Sequence, residues 1–140
     1  MVPAPMATTP VEALQRVPLL AGLSDRERDR LARELHERTF PQGAAVVNEG
    51  ATGTGFFVIA DGQAVVTVGG EERTRLGPGD YFGEMALIDD APRSATIMAE
   101  TDLRCYGMTP WEFRPFVESH PHVAWTMLEM MSKRLREAQA

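Results

Sequence analysis

The sequence contains a single cysteine, Cys105, in 140 residues. No internal disulfide is available, and such cysteine usage fits a reducing cytoplasm. Cys105 falls in an alternation with Leu103 and Gly107, so it reads as a buried, inert strand residue. Long hydrophobic runs are absent as well. No stretch of about 18 apolar residues occurs, so no membrane insertion is expected. The N-terminus lacks a basic region followed by an apolar one, so no secretory signal is expected. Positive charge is in deficit: 14 Lys and Arg against 20 Asp and Glu give a net charge of −6. Such a chain is a poor general binder of nucleic acid, because phosphate neutralisation supplies most non-specific affinity there. Any anion it holds must be held by a few local groups. Histidine is scarce. His36, His120 and His122 all fall outside the predicted strands, which argues against a metal-dependent barrel enzyme with ligands clustered on adjacent strands. The expectation is a non-catalytic protein with no metal and no cofactor.

What is present fits one domain with a real core. Apolar residues make up 44% of the chain, enough for a globular fold without staples. Residues 1–10 carry three prolines and no periodicity, and read as a flexible tail. A short helix is expected from Val11 to Val17, ended by Pro18. Ser24 and Glu27 form a capping box that opens a second helix, with Leu31 and Leu35 on its buried face. From Phe40 short apolar runs alternate with glycine turns. Phe56–Ile59, Ala64–Val68, Arg73–Leu76, Thr96–Ala99 and Leu103–Met108 are the predicted strands. Asp61-Gly62 and Gly69-Gly70 both carry hairpin signals. Thr109 and Pro110 open a short helix to about Glu118. Pro121 starts a last helix with Val123, Met127, Met130, Met131, Leu135 and Ala138 on one face. Arg134 interrupts that apolar stripe. The organisation is thus a tail (1–10) and one domain (11–140). Within it lie N-terminal helices (11–39), a β region (40–109) and C-terminal helices (110–140).

The chemistry concentrates between Phe82 and Thr96. Gly83 allows a sharp bend or a close approach to a ligand. Residues 83–88 are expected to make one helical turn, whose first N–H groups have no internal partner and attract an anion. Pro92 ends that segment and Arg93 opens the next strand. The planar fork of Arg93 suits two oxygens of one phosphate, and Ser94 adds a hydroxyl donor. Glu84 repels a bare phosphate but accepts from a hydroxyl. A ribose 2′-OH beside a phosphate satisfies both groups, as in a 3′,5′-cyclic nucleotide. The competing reading is a salt bridge between Glu84 and Arg93 across the turn.

Gly83-Glu84-Met85-Ala86-Leu87-Ile88 followed by Ala91-Pro92-Arg93-Ser94-Ala95-Thr96 resembles the phosphate-binding cassette of cyclic nucleotide-binding domains. These domains occur in protein kinase A regulatory subunits, catabolite activator proteins and cyclic nucleotide-gated channels. Phe40-Pro41-Gln42-Gly43 and Glu49-Gly50 resemble the family's first turns, and the resemblance spans about residues 12–138. It implies a mainly β fold with flanking helices: an antiparallel β-roll or jelly-roll barrel, N-terminal helices, a short hinge helix and a C-terminal lid helix. It implies ribose binding by Glu84 and phosphate binding by Arg93. Gly83, Met85 and Ala86 match positions near the sugar-phosphate, and Ser94 matches a phosphate-touching hydroxyl. Val66 and Leu76, and less firmly Thr74, match positions at the base end. Arg134 matches a lid arginine that stacks on or caps the base in some channels; a surface arginine is the alternative.

The expected function is a cytoplasmic regulatory module that binds cAMP and repositions its last helix, packing Met127, Met131 and Leu135 over the pocket. The alternatives are a cGMP-binding module, or a dimerisation or structural module with a degenerate pocket. A second copy and an effector domain are the partner candidates. The sequence ends at Ala140, so no helix-turn-helix is expected after the long helix.

Overall fold

The computed structural model describes residues 9–20, 22–51, 55–83, 88–89 and 91–139. Helix α1 spans Pro10–Gln15 and is capped by Thr9, whose hydroxyl accepts from the Glu12 N–H. It ends before the predicted Val17, and Pro18 opens a 3₁₀ turn, Pro18–Leu20. Helix α2, Asp25–Ala32, starts at the expected capping box. Ser24 N–H donates to Glu27 Oε1 at 2.9 Å, and Glu27 N–H donates to Ser24 Oγ at 3.2 Å.

Eight strands follow among the described residues: β1 His36–Phe40, β2 Ala45–Val47, β3 Phe56–Asp61, β4 Ala64–Val68, β5 Glu71–Leu76, β6 Tyr81–Phe82, β7 Thr96–Ala99 and β8 Leu103–Met108. They form two four-stranded sheets, ordered β1-β8-β3-β6 and β2-β7-β4-β5, antiparallel throughout. The roll is therefore two facing sheets and not a closed barrel. His36 lies in β1, paired with Gly107, and not outside the strands. β1 escapes a pattern reading because its residues are mostly exposed and polar.

The two hairpin signals part company. Gly69-Gly70 joins β4 to β5, with Val68 opposite Glu71 and φ of 60° and 81° at the two glycines. Positive φ at both central residues is what a tight two-residue turn between twisted strands requires. Asp61-Gly62 is not a hairpin. β3 pairs with β8 and β6, whereas β4 pairs with β7 and β5, so the chain crosses between sheets at this corner. Gly62 packs onto the Asp102 carbonyl, where a Cβ has no room.

Side-chain alternation divides the core in two. Phe57 and Ile59 of β3, Phe82 of β6, and Leu103 and Cys105 of β8 face the second sheet, meeting Val47, Ala64 and Ile97. Phe56, Val58, Tyr106 and Met108 point the other way, onto Leu14, Leu31, Phe113, Phe116, Val123 and Met127 of the helices. β3 and β8 are thus covered on both faces. Cys105 is fully buried, and burial pushes its thiol up to about 12.

Helix α3, Pro110–Ser119, and α4, Pro121–Gln139, complete the chain. The α4 stripe is buried over its first half only. Val123 and Met127 are in the core, Met130 and Met131 are half-buried, and Leu135 is 59% exposed. Trp125 and Leu128 on α4 are also exposed. No described helix is long and apolar enough to cross a membrane.

Candidate functional site

The turn at Gly77–Asp80 aims the key segment. Gly77 N–H donates to Asp80 Oδ2 at 2.8 Å, and Asp80 N–H returns to the Gly77 carbonyl at 2.9 Å. Gly79 N–H donates to the Ile59 carbonyl, and Ile59 N–H to the Asp80 carbonyl, each at 2.8 Å. This docks the turn on β3 and leads into β6, with Phe57 opposite Phe82 and Val58 opposite Tyr81. The chain then reaches Gly83, at φ 81°.

Arg93 arrives from the other side. Its N–H donates to the Ala51 carbonyl, and its own carbonyl accepts from the Gly50 N–H, both at 2.8 Å. Its Nη2 donates to the Gly55 carbonyl. Thr96 Oγ1 accepts from the Glu49 N–H at 3.0 Å, which ties the start of β7 to the same loop. The guanidinium is therefore held by backbone on a fixed platform.

These segments enclose a cavity of about 460 Å³ opening at the sheets' inner faces. Small-ligand sites occupy about 300–1,000 Å³. Five of the residues singled out in the sequence line it: Val66, Leu76, Gly83, Arg93 and Ser94. Its apolar part is Val47, Val66, Leu76 and Ile97. Its polar side chains include Arg93, Ser94 and Asp89. Thr74 sits opposite Val66 in the register but does not line the cavity. Glu84, Met85 and Ala86 lie outside the described residues, as does most of the helical turn expected at 83–88. Arg134 is not among the described residues that line the cavity. Its Nη2 donates to Tyr81 Oη at 3.4 Å, and Tyr81 is a wall residue.

Sequence reasoning did not single out Gly55, whose carbonyl anchors Arg93. The available signal was a glycine placed immediately before the apolar run at Phe56. Val47, Tyr81 and Ile97 were missed as lining residues, because a strand's period gives its inner face and not what that face encloses. Among the described residues no group of three or more His, Cys, Asp or Glu is placed to hold a metal ion.

The fold and cavity define a class: a two-sheet roll that presents an anchored arginine fork and a hydroxyl to a small-ligand cavity. The chain belongs to the cyclic nucleotide-binding domain family, whose model matches residues 37–120. It is 43% identical over 93 residues to a cAMP-dependent protein kinase regulatory subunit of Yarrowia lipolytica, covering 65% of this chain and 25% of that one. It is 33% identical over 126 residues to the Cyclic AMP receptor protein of Thermus thermophilus, covering 86% of this chain and 58% of that one. The chain thus spans a quarter of the one relative and little more than half of the other. In structure it resembles the N-terminal domain of a transcriptional regulator from Streptomyces coelicolor A3(2). The TM-score is 0.81 at 27% identity, over 91% of this chain and 92% of that one.

Proposed function

We propose that this domain is a non-catalytic regulatory module that binds cAMP in the cavity between Val66, Leu76 and Arg93. The observation that supports the reading is the anchored Arg93 fork and the Ser94 hydroxyl in one cavity with the apolar side chains of Val47, Val66, Leu76 and Ile97. A cyclic phosphate carries one negative charge and two exocyclic oxygens, which match that fork. Glu84 accepts from the ribose 2′-OH, and Gly83, Met85 and Ala86 bring backbone close to the sugar-phosphate. The base lies against Val66 and Leu76. The relatives named for cAMP support this choice of ligand.

Titration calorimetry with cAMP tests the reading. Heat and saturation are expected, with most binding lost in Arg93→Ala, because a phosphate then enters the cavity unpaired. No heat and no thermal shift at millimolar cAMP refutes it. Competition by cGMP, repeated in Arg134→Ala, reads base selection. An unchanged preference in that variant removes Arg134 from the base site.

Binding also repositions the C-terminal half of α4. Met127 is committed to the helical core, so the moving part runs from Met131 to Leu135. A micromolar ligand carries about 8 kcal/mol. Turning a 1:99 equilibrium into 99:1 requires a differential affinity worth about 5.5 kcal/mol. Spin labels on Glu137 and Arg73 are expected to change separation on adding cAMP, and an unchanged distance refutes the movement.

A further inference from the structure

All three histidines of the chain meet a carboxylate, and each contact crosses a seam between the C-terminal helices and the rest of the domain. His36 of β1 places Nε2 2.6 Å from Glu112 Oε2 of α3. At the junction of α3 and α4, His122 Nε2 lies 3.1 Å from Glu27 Oε1 of α2, and His120 Nε2 lies 3.7 Å from Glu27 Oε2. We propose that these histidines form a proton-operated clamp that ties α3 and the first turn of α4 to β1 and α2 when the rings take up a proton.

Both glutamates are held in place by a second task. Glu27 Oε1 accepts from the Ser24 N–H, and Glu112 Oε1 accepts from the Thr109 N–H at 3.1 Å and the Thr109 hydroxyl at 2.6 Å. Each carboxylate thus caps its own helix and turns toward a histidine. The caps also keep both groups ionised. The Ser24 backbone hydrogen bond leads in lowering the Glu27 carboxyl. Burial raises the Glu112 carboxyl, but the Thr109 hydrogen bonds and His36 outweigh it, and the net direction is down.

The tautomer of His120 makes its contact depend on a proton. Its Nδ1 lies 2.9 Å from the Phe116 carbonyl. A carbonyl only accepts, so that nitrogen carries the hydrogen. Neutral His120 then turns a lone pair toward Glu27, and one acceptor faces another. Protonation converts the contact into a charge-assisted pair. The side chains of His120 and Glu27 are each 17% exposed, so solvent screens this pair little. The His120 ring also stacks on Phe116, with centroids 4.5 Å apart, which fixes the orientation of the imidazole.

The neighbouring charges are engaged elsewhere. Arg28 of α2 donates to Asp25 and to the Leu23 carbonyl. Glu118 of α3 accepts from Arg114. Beside His36, Glu37 lies 3.6 Å from Arg104, and Arg38 sits over the Phe40 ring.

Hydrogen exchange on the full chain without nucleotide tests the clamp. After correction for intrinsic rates, amide protection over residues 110–127 is expected to rise about fivefold from pH 7.8 to pH 6.0. That is the gain of one neutral contact becoming charge-assisted. Glu27→Gln and Glu112→Gln each keep a capping oxygen and remove the charge, so each abolishes the rise at its own seam. His36→Gln, at a largely exposed position, abolishes it at the β1–α3 seam without disturbing the core. Protection that ignores pH in the wild type, or a rise that persists in these variants, overturns the proposal. No nucleotide is added, so this outcome is independent of whether the cavity binds cAMP.

Discussion

Replacing Gly83 by alanine strikes the candidate site through one added methyl group. Gly83 has φ 81°, where an L side chain costs about 1–2 kcal/mol. The new Cβ overlaps the Gly55 carbonyl oxygen and falls 2.6 Å from Arg93 Nη1 and 3.2 Å from Nη2. The guanidinium tip can move, but the carbonyl belongs to backbone leading into β3. The methyl therefore lands where Arg93 meets Gly55. Losing a hydrogen bond to a charged group costs about 1.5–3 kcal/mol. The sum is about 3 kcal/mol, or about 10 °C in Tm for a chain of this size. Urea and thermal melts read that loss. Calorimetry is expected to show cAMP affinity lower by about tenfold or more, since 1.4 kcal/mol of misplaced phosphate contact suffices. A double-mutant cycle with Arg93→Ala isolates the cause. If Gly83→Ala acts through Arg93, the stability losses are strongly non-additive. Full additivity, or wild-type stability and affinity in Gly83→Ala, refutes the argument.

Cys105 is expected to resist alkylation at pH 8 in the folded chain and to react once urea unfolds it, because its buried thiol sits near 12; native-state labelling at the unfolded rate refutes this. Glu27 and Glu112 both have folded values below their unfolded one of 4.5. Each contributes stability that is full above that value and is lost as pH falls through the lower folded value. Urea midpoints are therefore expected to drop between pH 5 and pH 3, by less in the Glu27→Gln, Glu112→Gln double variant; an equal drop in both proteins counts against it. Tyr81→Phe keeps the ring and removes the oxygen that Arg134 reaches. Stability is expected to hold within about 0.5 kcal/mol, while the α4 label distance responds less to cAMP; an unchanged response refutes the coupling.

Local signals in the sequence survived folding wherever the deciding interactions were local. The Ser24–Glu27 box spans three residues and closes as its chemistry demands. The same holds for Gly69-Gly70, where two positive φ angles are all the turn needs. Asp61-Gly62 has the same appearance in sequence but a different fate, because β8 and β6, far along the chain, occupy both edges of β3. β1 was illegible for a related reason. β1 is polar and exposed, and it is a strand because the edge of β8 offers it hydrogen bonds. The site followed the same division. Arg93 and Ser94 were marked by their own chemistry. Gly55 was not, because its importance is a carbonyl presented to a residue 38 positions away.

The α4 stripe shows why periodicity marks a face without naming its cover. Val123 and Met127 are covered by the helical core, whereas Leu135, on the same stripe, meets solvent. The two halves of this helix therefore answer to different neighbours, and Tyr81 is where these neighbours meet. Its ring packs against the helical core and lies 6.3 Å from Phe56, centroid to centroid. It also lines the cavity, and its hydroxyl accepts from Arg134 in the exposed half of α4. Tyr81 is joined through Phe82 to Gly83, where Arg93 and the Gly55 carbonyl converge. Tyr81 and Phe82 face opposite cores, so what joins Gly83 to the Tyr81–Arg134 contact is the backbone of β6. The Tyr81→Phe comparison reads that connection directly, through the response of the α4 label distance to cAMP.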